Sequence, residues 1–579
     1  MTDPHLSERK QKDGSVRLYA VQSDWDKTTK KTKKSLQIYI GCKRADGSYS
    51  FNSKTESYLY LLRNTEYERH FYQWQDFMNM STSDSEEDIA PPANIVSCID
   101  LAGGISLLLD HVAKETAITK ILHKVFDSDR AKLLQSLMYY VASRCGAPLY
   151  AAATWSESQK IPFGREFSED AISIILQNVT EGEILSFMKE LLKETPRAHR
   201  LSLDITSVSS YSKEIPDVMP GYNRDHENLE QINLLMMVDQ RTKRPCWIEQ
   251  LPGAISDITT LKDTIHLLKL LDESPRNIVF DRGFASKENI CCLQKNGFKF
   301  TMGIPVYRKG FEDVLELLED LKNKNEFCAP GITGDLFDNY ASHSTQGVTR
   351  RVKWNGHYVY LHFYYCADYK SSNETGLMER VDEVDRALKS GKQLKHPMDI
   401  VIAEKCFTVR KTKNGISVKC DLAAVASLKE ECGGYFVLCS NEYKEAHEAL
   451  YVYKLRDGVE KRFDDLKNEA DCARLRMHSP RRMHTRIFIQ FLAEILRCYL
   501  LERMQTHADK WKALKLTRCR SVNDIIRAME SLRYISIEGH RPFYKRPTRT
   551  QYALMKFYDI PTTGTPGWPS LAKVRKQDT

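Results

Sequence analysis

Three acidic residues and one short helical stretch hold the side chains in this sequence best suited to chemistry. Asp204 lies inside the strand-like run LSLDITS, where a carboxylate is costly to bury unless a metal, a cation or a hydrogen-bond donor stands beside it. Asp281 follows the apolar run NIVF and precedes Arg282 and Gly283, so a buried strand meets a glycine turn there. In open α/β sheets, ligand sites gather at the carboxyl ends of strands. Taken singly, each aspartate reads equally well as a strand-end Asp capping a turn. The stretch YKLRDGVEKRFDDLK begins at Tyr453 and adds Arg456, Glu460 and Lys467 at offsets of three, seven and fourteen. At about 100° per residue, these four side chains fall within roughly 60° of one another on a helix. Leu455, Val459, Phe463 and Leu466 form a separate apolar stripe that can face a core. The polar face is either a solvated, salt-bridged surface or a carboxylate flanked by groups that hold phosphate.

These residues need a scaffold that brings them together. Residues 201–207, 232–239 and 245–251 read as strands, the last two separated by the turn 240–244. A helix at 258–272, a strand at 277–280, a helix at 286–296 and a strand at 299–304 follow. The order β-β-β-α-β-α-β matches the layered α/β arrangement of the RNase H-like fold. Between 305 and 446 the runs YVYLHFYYC, DIVIAEKCFTV, GISVKCDLA and GYFVLCSN alternate with charged stretches such as 370–395, which predicts a mostly β insertion. Trp354 in that region reads as strand packing before it reads as a platform for an unpaired base. A long amphipathic helical region, 450–502, then carries Glu460.

Ahead of this core, residues 17–25 and 35–43 predict a small basic β-hairpin joined by the Lys- and Thr-rich turn 27–34. A helical stretch at 55–80 and the acidic linker STSDSEEDIAPPAN at 81–94 follow. From 99 to 194, apolar residues at helical spacing predict four or five helices. The expected fold is therefore α/β, with six parts. Residues 1–94 are the hairpin, helix and linker, and 95–198 an all-helical domain with a DNA-binding role open to it. Residues 199–304 begin the catalytic core, 305–446 are the insertion, 447–515 the catalytic helix and end of the core, and 516–579 a basic tail.

Composition narrows the class. Hydrophobic residues make up 42% and charged residues 28%, which fits an ordinary globular chain. No run nears the roughly 18 apolar residues of a membrane helix, and the polar start MTDPHLSERKQKDGS has no apolar signal core, so no membrane role and a cytoplasmic location are expected. The 15 cysteines contain no Cys-x-x-Cys pair and read as free, mostly buried thiols. Arg474, Arg476, Arg481, Arg482 and Arg486 form a basic cluster of the kind phosphate contact requires. Dinucleotide, P-loop, His-Glu-x-x-His and Gly-x-Ser-x-Gly motifs are missing.

The chain resembles the bacterial insertion-sequence DDE transposases marked by a Tyr-x2-Arg-x3-Glu-x6-Lys signature, which Tyr453, Arg456, Glu460 and Lys467 match at every position. Asp281, Gly283 and Phe284 match the family's Asp-x-Gly-aromatic motif, and Asp204 its first aspartate. Pro252, Gly253 and Asp257 resemble the turn before its first core helix, and RLRMHSPRRMHTRIFIQFLAEIL the segment after its catalytic helix. The resemblance implies that Asp204, Asp281 and Glu460 are catalytic and bind two Mg²⁺ ions, with Mn²⁺ able to substitute. It implies that Tyr453, Arg456, Lys467, Arg474, Arg476, Arg481 and Arg482 contact DNA. Cleavage at the terminal inverted repeats of a mobile element and strand transfer into target duplex DNA would follow, with a homodimer assembled on the DNA. Two other readings compete: an RNase H-like nuclease that cuts without joining, and a domesticated, non-catalytic DNA-binding protein.

Overall fold

Alternation along Val16-Arg17-Leu18-Tyr19-Ala20 gives one strand an apolar side and a polar side, and this pattern organises the first of two units, Met1–Ser97, in the computed structural model. The structure describes residues 4–26, 31–45, 47–52, 55–63, 65–71, 98–221, 229–270, 276–306, 308–328, 345–354, 356–394, 397–412, 415–468, 474–475, 479–538 and 540–561. In the first unit, β1 (His5–Lys10), β2 (Val16–Asp26), β3 (Lys31–Lys43) and β4 (Tyr49–Phe51) pair antiparallel in that order. Leu18, Ala20, Ile40 and Phe51 bury one face beneath Leu62, Tyr67 and Phe71. The expected hairpin is β2 and β3. The flanking strands escaped notice because Leu6 is the one apolar residue in HLSERK and YSF is only three residues long. The acidic linker at 81–94 lies outside the described residues.

The second unit, Cys98–Thr579, opens with β5 (Cys98–Ala102) and six helices: α1 (Gly104–Glu115), α2 (Ile118–Val125), α3 (Ser128–Ser143), α4 (Ala152–Glu157), α5 (Glu169–Asn178) and α6 (Glu181–Glu194). Asp127 and Ser168 cap α3 and α5, and Thr180 with Glu183 forms a capping box on α6. Next come β6 (Arg200–Ser210), β7 (Gln231–Asp239), β8 (Pro245–Pro252), α7 (Asp257–Leu270), β9 (Asn277–Phe280), α8 (Lys287–Lys295) and β10 (Lys299–Ile304), the element order read from the sequence. Beyond them lie α9 (Glu312–Asn323), β11 (Thr345–Trp354) and β12 (His357–Cys366).

The expectation of a mostly β insertion over 305–446 is corrected here. Strands β11, β12 and β15 (Tyr435–Ser440) belong to the central sheet, whose order is β11-β12-β15-β10-β9-β6-β7-β8. Between β12 and β15 the chain forms α10 (Ala367–Lys389), α11 (Pro397–Cys406), the hairpin of β13 (Phe407–Thr412) and β14 (Gly415–Cys420), and α12 (Leu422–Cys432). The β-branched run Ile400-Val401-Ile402 suggests a strand. It is instead helical after Pro397, and Ile402 is buried in a small core with Val384 of α10 and Leu428 of α12. Trp354 is buried at the end of β11, its Nε1 donating to Asp313 at 2.9 Å, so the packing reading of that residue stands.

The long helical region expected over 450–502 is made of three helices: α13 (Ala446–Lys454), α14 (Asp457–Asn468) and α15 (Pro480–Thr506), with β16 (Arg474–Leu475) before the last. Asp457-Gly458 continues a helix poorly but starts one well, and the chain turns at Leu455 and Arg456. Helix α15 is buried on all sides from Ile487 to Leu500, in a core continuous with the sheet and α1–α6. The segment read as a basic tail folds as far as Ile560. It forms α16 (Ala508–Ala513), α17 (Val522–Glu530), β17 (Arg533–Ile537), β18 (Phe543–Tyr544) and α18 (Arg549–Phe557), with β17 pairing β5. Among the described residues no helix is long and apolar enough to cross a membrane. Twelve described cysteines are free, and Cys98 alone of them is exposed.

Candidate active site

Strands β6 and β9 run parallel, with Leu203 paired to Phe280 at the last registered position. The next residue on each strand is an aspartate, so parallel pairing alone sets Asp204 beside Asp281. Asp204 is 3% exposed in an otherwise buried strand, and its Oδ1 accepts the Ile205 amide at 2.8 Å. Asp281 ends β9 and caps a short 3-10 turn, Arg282–Phe284, by accepting the Gly283 amide. Phe284 is fully buried against Phe280 and anchors that turn.

The third carboxylate arrives on α14. Val459, Phe463 and Leu466 bury one stripe of this helix over β6 and β7, which leaves Glu460 half-exposed in its first turn. Arg456, in the turn before α14, gathers the set. Its Nη1 donates to Asp204 Oδ2 at 2.9 Å and its Nη2 to Glu460 Oε1 at 2.7 Å, while Asp281 Oδ1 stands 3.6 Å from Nη2. All three carboxylates therefore lie within 3.6 Å of one guanidinium. Burial opposes the Arg456 charge, but Tyr453 and the surrounding carboxylates outweigh it and hold the group above the ordinary arginine range. The Tyr453 hydroxyl donates to Asp281 Oδ1 at 3.3 Å. Burial, followed by the Asp281 charge, pushes the Tyr453 phenol above its usual range and keeps it a donor.

Two glycines make room for this cluster. A β-carbon on Gly283 would stand 2.5 Å from Asp257 Oδ2, and one on Gly303 would stand 2.8 Å from the Tyr453 hydroxyl. The Asp-x-Gly-Phe motif thus has a local account: the aspartate caps, the glycine admits a second carboxylate, and the aromatic anchors. Sequence reading missed Gly303, although a glycine inside the strand KFTMGI signals close approach of another chain segment. It also missed Arg308, whose Nη1 donates to Ala285 O at 3.2 Å. Burial and the charge of Arg282 lower its pKa, whereas Asp257 and Asp281 pull it upward. Only its place just beyond β10 hinted at a role.

The model of the transposase DDE domain family matches residues 197–496, a span that includes all three carboxylates and the strands and helix that carry them. The chain belongs to the DDE transposase family. It is an enzyme that acts on DNA. No curated protein matches the chain. Among solved structures, a piggyBac transposase synaptic complex with hairpin DNA is similar at 12% identity and a TM-score of 0.35, covering 82% of this chain and 89% of that one.

The other residues expected to contact DNA sit as follows. Lys467 lies half-buried in the last turn of α14. Arg474 pairs through its backbone with Ser209 of β6, and Arg476 lies outside the described residues. Arg481 and Arg482 are exposed in the first turn of α15, and Arg482 Nε donates to Gln177 of α5 at 3.2 Å. The helical region that carries Glu460 is broken before Arg481 and Arg482: the chain leaves α14 at Asn468 and begins α15 at Pro480. Tyr453 and Arg456 likewise precede α14, so a turn, and no single helical face, aligns them with Glu460.

Three hard-oxygen donors converging on one positive charge have the chemistry of a divalent-cation site, and the guanidinium stands where a cation would be held. As the side chains stand, no group of three or more His, Cys, Asp or Glu is arranged to hold a metal ion among the described residues. Members of this family use divalent metal ions, and three carboxylates are a donor set of the kind such ions take.

Proposed function

We propose that this transposase belongs to the bacterial insertion-sequence subgroup with the Tyr-Arg-Glu-Lys signature, and that it cleaves element ends and joins them to target DNA through Asp204, Asp281 and Glu460. The observation that carries the reading is the convergence of these three carboxylates, from three separate elements, on Arg456. An RNase H-like core is the accompanying proposal. The strand order β8-β7-β6-β9-β10 supports it, with an antiparallel meander followed by two parallel strands.

Asp204, Asp281 and Glu460 would hold two Mg²⁺ ions, or Mn²⁺ in their place, and when bound these supply activation of an attacking oxygen and charge stabilisation for a leaving one. The chain's own residues do the rest. Tyr453 orients Asp281 by donating to one of its oxygens. Arg456 compensates the carboxylates in the free enzyme, and its planar fork suits a DNA phosphate when it lets go of them. Lys467, Arg474, Arg476, Arg481 and Arg482 are assigned phosphate contacts, which position the duplex and do not read its sequence. The partners are element-end and target duplexes, bound by a homodimer in the bacterial cytosol.

The test uses a duplex carrying an element end. Asp281→Asn and Glu460→Gln should abolish Mg²⁺-dependent nicking while gel-shift affinity stays within about threefold of wild type, because affinity comes mainly from phosphate contacts elsewhere. Normal nicking by Glu460→Gln would refute the assignment.

A further inference from the structure

The first unit turns its unburied sheet face into a second pattern, and the pattern is one of arginines and tyrosines. Register runs Arg9 to Arg17 to Cys42 to Ser50 across all four strands, and Ser7 to Tyr19 to Tyr39 in the neighbouring row. These residues alternate with Leu18 and Ala20, which face the core, so both rows lie on the opposite side. That side bears an open cleft of about 890 Å³, whose lining includes Asp13, Arg17, Tyr19, Tyr39, Cys42 and Arg44. Tyr39 is 38% exposed and meets Tyr19 edge-on, with ring centroids 5.6 Å apart. The Arg9 guanidinium lies 4.8 Å from the centre of the Tyr19 ring and donates to Gln37 at 2.7 Å.

We propose that this sheet face binds an unpaired stretch of DNA, with bases stacking on Tyr39 and Tyr19 and phosphates meeting Arg17 and Arg44. The chemistry favours that occupant. The face and its cleft set three arginines, Arg9, Arg17 and Arg44, against one aspartate, which complements an anionic chain. The exposed Tyr39 ring and the half-buried Tyr19 ring beside it, set among guanidiniums, offer a stacking surface for bases and a cationic track for the backbone, the pairing that single-strand binders use. Packing does not account for the tyrosines, because the core of this unit lies on the other face. A duplex has its bases stacked internally and would use the arginines alone. That the strand is DNA and not RNA rests on the transposase reading; the platform itself does not.

The experiment uses the full chain in metal-free buffer with a single-stranded oligonucleotide of roughly a dozen nucleotides carrying 2-aminopurine. Wild type should shift the probe's fluorescence on binding. Tyr39→Leu keeps apolar bulk at an exposed site and should lose most of that shift, with affinity falling about tenfold. Arg17→Ala combined with Arg44→Ala should lower the salt dependence of binding by about one unit per lost phosphate contact. Equal single-strand binding by wild type and Tyr39→Leu would overturn the proposal. So would a pattern in which the arginine variants weaken duplex binding and Tyr39→Leu changes nothing, since the face would then be a duplex contact. Preference for the ribose version of the probe would overturn the DNA assignment. Each of these failures leaves Asp281-dependent nicking intact, so it is distinct from failure of the catalytic reading.

Discussion

The backbone of Gly303 approaches the hydroxyl of Tyr453 so closely that a β-carbon at Gly303 would lie 2.8 Å from it and 3.0 Å from the Arg282 β-carbon. The same hydroxyl holds Asp281. Adding one methyl group to β10 must therefore move the tyrosine or the turn that carries the aspartate. Gly303→Ala should cost about 1–3 kcal/mol of stability, as overpacking does, and lower nicking at least tenfold with DNA binding kept. Thermal melting beside a nicking assay checks this. Unchanged nicking would show that Tyr453 does not position Asp281.

Arg456 neutralises a cluster that would otherwise crowd three negative charges together. Removing one partner of a buried ion pair typically costs about 3–5 kcal/mol. Arg456→Gln should therefore melt several degrees lower than wild type in chelator, and Mg²⁺ should restore part of the loss. The variant should also bind Mn²⁺ more tightly by calorimetry in the absence of DNA, because no guanidinium competes for the carboxylates. Equal Mn²⁺ affinity in the two proteins would mean that Arg456 does not occupy the cation position.

Helix α14 is anchored two residues beyond Glu460. Arg462 Nη1 donates to Glu494 Oε1 of α15 at 3.0 Å, contacts Cys498 Sγ at 2.9 Å and pairs with Asp465 at 2.9 Å. Burial pushes Glu494 up to about 7, with the Asp465 charge adding to it and Arg462, Cys498 and Arg497 pulling the other way. The raised pKa means that the folded state holds this proton more tightly than the unfolded chain does. The contribution is complete below the unfolded value near 4.5 and is lost as pH rises through about 7. The loss is on the order of 3 kcal/mol. Glu494→Gln should flatten this dependence, so melting curves of the two proteins should diverge between pH 4.5 and 7.5 in the variant's favour at high pH. Parallel curves would place Glu494 as ionised throughout.

Legibility in the sequence followed the physics of each segment. Strand-forming runs around Asp204 and Asp281 stood out because β7 and β9 are buried on both faces and nearly all apolar, while β6 alternates Leu201, Leu203 and Ile205 with short polar residues. The spacing from Tyr453 to Lys467 was visible, but its geometry was not, because helical arithmetic assumes an unbroken helix and the chain turns at Arg456. That turn is what lets Arg456 reach back to Asp204, a contact across 252 residues that no local pattern encodes. Residues 397–406 misled for a related reason: β-branched residues favour strands only weakly, and packing on α10 and α12 decides their state.

Lys467 separates a joining enzyme from one that only cuts. It lies on α14 with Glu460, seven residues on, and is half-buried. Nicking needs the carboxylates and water, and a loosely held strand suffices. Joining requires the cleaved 3′-hydroxyl to be held against a second phosphate, which is a demand on positioning. Lys467→Ala should therefore leave the first nick within about threefold of wild type and reduce joined product at least tenfold, about 1.4 kcal/mol or more in the joining step. Pre-nicked element ends, Mg²⁺ and a target duplex give both products in one gel. If wild type nicks its bound ends and never joins them, the nuclease reading replaces the transposition chemistry proposed here. If Lys467→Ala joins as well as wild type, Lys467 packs α14, and the positioning falls to Arg456 and the arginines of α15.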